Sequence, residues 1–342
     1  YAILESGDTL STSNYEVRTF DVSGEEATPR DVTFSNDGKK MFVIGNGGDD
    51  VDEYTLSEAF NISSAVFVDS FSVADEDNRP FGVRFNNDGS KMFIAGRTNQ
   101  KVFEYSLSVN FDVSEADYTG NSFDVSSQVK SVFLGLAFSH DGTMMYVTDG
   151  QGAASTDSIY QFSLNKSFDL SGGANLIRSV RTTVTLETLR TNESEPNGIA
   201  FNKSGTRMFL IGSEGNHVNQ YTLSEGFNIS TASFDGGVRR LNNPNGIDFS
   251  PDGLRMFILD TGHKQVKEHH LPCPFNLFAG KCQSITEDSD RAGIAEAQLE
   301  LAKRTINIST NSVLNRLKWI KRNEDKQNLS LIHISEPTRP DE

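Results

Sequence analysis

The sequence predicts an all-β chain: a β-propeller of four-stranded blades, followed by a helical C-terminal linker. Three observations carry this. A strand–turn–strand unit recurs five times, with its turn at Asp37-Gly38, Asp88-Gly89, Asp141-Gly142, Ser204-Gly205 and Asp252-Gly253. The turns are spaced 51, 53, 63 and 48 residues apart, and strand-rich repeats near that period are propeller blades. Each unit also carries segments for four strands, the content of one blade.

The first strand of each unit reads DVTF, GVRF, GLAF, GIAF or GIDF, and the second KMFVIG, KMFIAG, MMYVTDG, RMFLIG or RMFILD. Asp-Gly tolerates the positive φ of a tight turn, so each pair is a hairpin. The second strand is apolar at consecutive positions, as in Met41, Phe42, Val43 and Ile44. Such a strand is buried on both faces, which stacking between blades provides. The third strand, at 51–56, 102–107, 159–164, 218–223 and 266–271, repeats Val/Ile-x-Glu/Gln-aromatic/His-x-Leu. A residue present in every blade rarely builds one site, so Glu53, Glu104, Gln161, Gln220 and Glu268 are expected to make a repeated inter-blade or strand-edge hydrogen bond. A polar link, LSEAFNIS or LSEGFNIS, then leads to a fourth strand such as VFVDSFSV.

The propeller is assigned to residues 1–282, with repeats at about 28–78, 79–130, 131–194, 195–243 and 244–282. The fifth repeat lacks a good fourth strand and runs into PCPFNLFAGKC, while residues 15–24, YEVRTFDVSG, resemble a fourth strand standing alone. That strand can complete the last blade and close a five-bladed ring. The alternative is a ring of six to eight blades whose first members precede Tyr1. The third repeat is lengthened by SGGANLIRSVRTTVTLETLRTNES, which can extend its fourth strand into a hairpin and offers a binding loop. Residues 283–328 show no strand pattern. Asp288 or Ser289 can cap a helix through 292–304 with acids early and bases late, and Val313, Leu314, Leu317 and Ile320 recur at helical steps.

The formal net charge is −16. No basic stripe crosses the repeats, which excludes a nucleic-acid partner; acidity of this kind keeps a protein soluble. No apolar run approaches the ~18 residues of a membrane helix. Cys273 and Cys282 can close a small loop, stabilising by roughly 2–3 kcal/mol and implying an oxidising compartment; two reduced thiols are the alternative. The loop holding Asp49, Asp50 and Asp52 lacks the EF-hand spacing and is expected to be a solvated acidic loop. His140 and His263 lie at hairpin loops and are expected at the surface. No nucleophile elbow, zinc-protease motif or phosphate loop is present.

The repeats resemble bacterial propellers with SPDG-type hairpins, among them YVTN-like surface repeats and lactonases of the gluconolactonase kind. In those lactonases an Asn at the mouth of a blade binds the catalytic divalent metal. The resemblance places that role on Asn197 and Asn245, with calcium or another divalent ion as cofactor. The same position in the other blades is Arg30, Phe81 and Leu134, a poor metal ring, and with Asn197 and Asn245 these form a candidate axial ligand face. The segment NSVLNRLKWIKRNEDKQNLS is similar to the linker ahead of the barrel in autotransporter-like proteins, which implies a surface-displayed passenger touching the membrane only through a barrel beyond this sequence. Residues 329–339, LSLIHISEPTR, resemble a translated sequencing adapter, so 329–342 are excluded from fold reasoning. The favoured reading is a secreted or surface-displayed, non-catalytic binding or adhesion module without cofactor, engaging an extracellular protein or glycan. The alternatives are a metal-dependent lactonase and a structural spacer.

Overall fold

A computed structural model describes residues 17–129, 132–150, 158–181, 195–213, 215–239 and 241–278. Strand β1 (Val17–Asp21) comes first. Blade 1 then holds β2 (Pro29–Phe34), β3 (Lys40–Gly45), β4 (Asp50–Leu56) and β5 (Ala65–Ser72), and blade 2 holds β6 (Pro80–Phe85), β7 (Lys91–Gly96), β8 (Lys101–Leu107) and β9 (Ala116–Asp124). Blade 3 is β10 (Val132–Phe138), β11 (Met144–Gly150), β12 (Ser158–Lys166) and β13 (Asp169–Arg181). Blade 4 is β14 (Pro196–Phe201), β15 (Arg207–Gly212), β16 (His217–Leu223) and β17 (Ala232–Arg239). Strands β18 (Pro244–Phe249), β19 (Arg255–Asp260) and β20 (Gln265–His270) remain, and their sheet has the order β1-β20-β19-β18. The N-terminal strand therefore supplies the outer strand of the last blade, antiparallel to β20 with Phe20 opposite Val266. The ring is five-bladed and closed.

The inner strands β2, β6, β10, β14 and β18 touch one another in a ring around the axis. The second strands are buried along almost their whole length, as their unbroken apolar runs require. Their side chains fill the gaps between blades: Phe42, Ile44 and Val51 of blade 1 pack with Val83, Met92 and Ile94 of blade 2. Each seam repeats this with its own aromatic set.

The link after the third strand is less polar than its composition suggests. Phe60, Phe111, Phe168, Phe227 and Phe275 all take positive φ, between 48° and 62°. Each folds back so that its N–H donates to the carbonyl of the turn glycine, as Phe60 does to Gly38 at 2.9 Å. Phe275 shows that the Pro272–Phe278 stretch is this same link in blade 5. Cys273, within it, is disulfide-bonded; Cys282 lies outside the described residues.

In blades 1 to 4 the recurring third-strand Glu or Gln joins its blade to the next. Glu53 accepts from Val113 N at 3.0 Å, Glu104 from Leu170 N at 2.7 Å, Gln161 from Ile229 N at 3.4 Å and Gln220 from Leu277 N at 2.8 Å. The blade 5 counterpart, Glu268, is instead held by Arg18 at 2.8 Å and His270 at 2.8 Å. In blade 3 the insertion lengthens β13 to 13 residues; residues 182–194 and the expected hairpin there lie outside the described residues. The propeller belongs to one compact unit, Tyr1–Thr286, and the other, Glu287–Glu342, with its expected helices and tail, also lies outside them. No described helix is long and apolar enough to cross a membrane.

Candidate functional site

Every inner strand starts on the same face of the ring, so this face gathers the second residue of four of them, Arg30, Phe81, Asn197 and Asn245, and the third residue of β10, Leu134. The fold brings these five predicted positions together at the mouth of the axis. Phe81 and Leu134 are buried there. The Arg30 guanidinium lies 4.5 Å from the centre of the Phe81 ring and that of Arg97, in the β7–β8 turn, 4.9 Å from it. One ring thus carries two cations, an arrangement its quadrupole favours. Arg30 Nε also donates to Asn46 Oδ1 at 2.9 Å. Burial and the nearby Arg79 push the Arg30 guanidinium down. Burial, Arg79 and Arg30 push Arg97 down to about 10, with Glu195 opposing. The mouth is therefore a crowded cationic patch on a chain of strongly negative charge.

Asn197 and Asn245 use their amide nitrogens to join blades. Asn197 Nδ2 donates to Pro244 O at 3.4 Å; Asn245 Nδ2 donates to Thr261 Oγ1 at 2.6 Å, whose hydroxyl donates on to Pro29 O at 2.9 Å. Their carboxamides thus hold blade 4 to blade 5 and blade 5 to blade 1.

One residue deeper the axis closes. Four blades have glycine here, and at three of them an added Cβ would strike the next blade: at Gly135 the Asn197 carbonyl at 2.7 Å, at Gly198 the Asn245 carbonyl at 2.5 Å, at Gly246 the Asp31 carboxylate at 2.6 Å. The fifth blade has Asp31. Its carboxylate accepts from Val32 N at 2.9 Å, Val83 N at 3.2 Å and Arg84 Nη1 at 2.6 Å. Burial pushes Asp31 up to about 6 against the pull of Arg84. On the far side, Asp248 accepts from Thr33 Oγ1 at 2.9 Å and Phe34 N at 3.0 Å, and burial raises it as well. Sequence reading passed over Asp31, Arg84 and Asp248, although the aligned inner strands displayed them: DVTF, GVRF and GIDF hold the only charges among five copies. Below them a cavity of about 240 Å³ opens between Phe85, Phe138, Phe201 and Phe249, with Arg84 and Asp248 in its lining.

Two further expectations meet the structure differently. His263 is exposed at its loop, with Nδ1 3.0 Å from Asp260 Oδ2, as expected of a surface residue. The acidic loop is not wholly solvated: Asp52 is 2% exposed and Glu26, from the β1–β2 crossover, fully buried beside it. Burial and then Asp50, Glu26 and Glu25 push Asp52 up to about 8. The spacing of acids along the loop could not show this, because Glu26 arrives from another part of the chain.

No protein-family model and no curated protein matches the chain. Among solved structures it is similar to a putative 6-phosphogluconolactonase from Bacteroides uniformis, at 15% identity and a TM-score of 0.41, over 67% of this chain and 63% of that one. It is similar to the periplasmic gluconolactonase PpgL of Pseudomonas aeruginosa, at 15% identity and a TM-score of 0.39, over 62% and 54%. It is also similar to the Cps50 (Swd1) β-propeller domain of Myceliophteria thermophila, at 6% identity and a TM-score of 0.44, over 75% and 99%. The chain spans less than two thirds of the length of either lactonase structure.

Proposed function

We propose that this propeller is a non-catalytic binding module, secreted or displayed at a cell surface, that takes an anionic ligand at the mouth of its axis. The observation that carries the reading is the pair of guanidiniums, Arg30 and Arg97, on the Phe81 ring. An incoming carboxylate or sulfate would be met by planar donors suited to bidentate contact and would relieve the repulsion among Arg30, Arg79 and Arg97. An acidic extracellular glycan or an acidic segment of a surface protein has this chemistry. The bonded state of Cys273 supports an oxidising compartment. Display as an autotransporter passenger rests on the linker resemblance alone, in residues outside those described.

The test is a binding array of acidic and neutral glycans probed with the full chain at low and high salt. Expected is retention on acidic members only, weakened by salt, and reduced at least about tenfold by Arg30→Gln with Arg97→Gln, the loss of two charge-assisted contacts. Binding to neutral glycans that ignores both substitutions overturns the assignment of the mouth. Lactone hydrolysis that needs a divalent ion and is lost in Asn197→Ala or Asn245→Ala overturns the non-catalytic reading.

A further inference from the structure

The β1–β2 crossover and the β3–β4 hairpin bring together carboxylates that ring closure does not require. Glu26, Asp50 and Asp52 each place an oxygen within 4.8 Å of the others. Glu26 is aimed by the backbone: Oε1 accepts from Thr28 N at 2.6 Å and Gly47 N at 2.9 Å, Oε2 from Gly48 N at 3.4 Å. Asp52 has no such anchor. Its side chain is almost wholly buried, and its Oδ2 accepts no hydrogen bond; neither does Asp50 Oδ1 or the adjacent Asp49 Oδ1. Among the described residues none of these four acids is in an ion pair, and the cation that senses Glu26 is Arg30 at the mouth. Buried oxygens left this way cost free energy unless something binds them.

The other blades show that the fold does not need the cluster. At the register positions of Asp50 and Asp52 they carry Lys101 and Phe103, Ser158 and Tyr160, His217 and Asn219, and Gln265 and Lys267. In blade 2 the Glu26 counterpart, Asp77, is satisfied by the backbone N–H groups of Arg79, Thr98 and Asn99.

We propose that Glu26, Asp50 and Asp52, with Asp49 alongside, form a calcium site that ties the crossover of the ring-closing strand to blade 1. Two oxygens on one calcium ion, each about 2.3–2.6 Å from it, stand up to about 5 Å apart, which the cluster satisfies. An all-oxygen, carboxylate-rich set selects a hard cation over zinc or copper. Backbone carbonyls and water complete the coordination.

The test uses the full chain, stripped with EDTA and titrated with calcium by calorimetry, with magnesium as comparator and melting followed in calcium and in EDTA. Expected is one calcium per chain, preferred over magnesium, and a rise in Tm of about 5 °C at a hundredfold excess over Kd. Asp52→Asn weakens binding at least about tenfold, the loss of one charged ligand, and Glu26→Gln does likewise; both cancel the rise in Tm. Asp69→Asn, on the exposed outer strand, leaves binding intact. In EDTA Asp52→Asn melts at or above the parent chain, because repulsion among the acids is relieved, and this shows that the variant folds. No calcium bound by the folded chain at about 10 mM, above the range of weak extracellular sites, overturns the proposal. So does parent-like binding by Asp52→Asn, or tighter binding of magnesium.

Discussion

The Asp31 carboxylate meets the Arg84 guanidinium at 2.6 Å on the axis of the ring. The two residues belong to the inner strands of adjacent blades, and Arg84 also reaches the Ile247 carbonyl of blade 5 at 3.5 Å. Three blades therefore converge on one largely buried pair.

Removing one partner of such a pair should cost far more than removing both. Arg84→Leu leaves Asp31 buried without its cation, and a loss of about 3–5 kcal/mol is expected from urea unfolding. Adding Asp31→Gly restores most of it, since glycine occupies this position in the other four blades. A double variant no more stable than Arg84→Leu alone would show that the pair does not govern the axis.

The inter-blade link from Glu104 to Leu170 N, 2.7 Å long, leads to a second prediction. Glu104→Ala strands a buried N–H and also removes one partner of Lys91, which pairs with Glu104 at 3.1 Å and keeps the Phe168 carbonyl at 2.9 Å and Asp169 at 3.7 Å. The expected loss is about 1–3 kcal/mol. Glu104→Gln keeps an acceptor and should cost less than half of that. Hydrogen exchange at Leu170 N separates the two: fast in the alanine variant, slow in the glutamine variant.

Much of this was legible in the sequence. The hairpin turns, the doubly buried second strands and the lone strand, read at 15–24 and found at 17–21, follow from local pattern, because each blade repeats one solution to the same packing problem. So did the recurrence of Glu53 and its counterparts, whose repetition marked them as architectural. What was not legible depends on contacts between distant segments. Glu26 joins Asp50 and Asp52 only after the crossover folds over the hairpin. Phe60 looked like part of a polar link because nothing local shows that it adopts positive φ and covers Gly38. Arg97 lies outside the ring of aligned mouth positions and joins Phe81 only through the turn of its hairpin.

His269 gives a pH dependence. Its ring is buried in β20, neither nitrogen has a hydrogen-bond partner, and burial, then Lys267 and His270, lower it from 6.5 to about 4. The unfolded chain binds this proton more readily, so the contribution is fully present above about pH 6.5 and is lost as pH falls toward 4. The loss amounts to about 3 kcal/mol. Asp31 acts in the opposite sense: with its folded value raised to about 6, protonation below that pH favours the fold. The two partly cancel in the parent chain, so the measurement is a difference. Stability of the parent minus that of His269→Phe, followed from pH 7 to 4, should fall with pH; a flat difference would mean that His269 is protonated as easily folded as unfolded.

The hairpin glycines carry the last prediction. Gly38 has φ +67°, and a Cβ there would lie 2.2 Å from the Phe60 ring. Gly38→Ala therefore meets two costs, the left-handed backbone at about 1–2 kcal/mol and displacement of a ring already fixed at positive φ. Phe60 cannot simply turn away: its N–H is bonded to the Gly38 carbonyl at 2.9 Å, and its ring packs 5.8 Å from that of Phe34. A total loss of about 2–5 kcal/mol is expected once overpacking is added. Gly24→Ala, in the β1–β2 crossover with nothing within 4 Å of its Cβ, is the matched control and should stay within about 0.5 kcal/mol of the parent. In Gly38→Ala with Phe60→Ala the steric part should vanish and the backbone part remain. A double-mutant cycle with a coupling energy near zero would show that the ring does not dictate glycine here, and that the turn alone does.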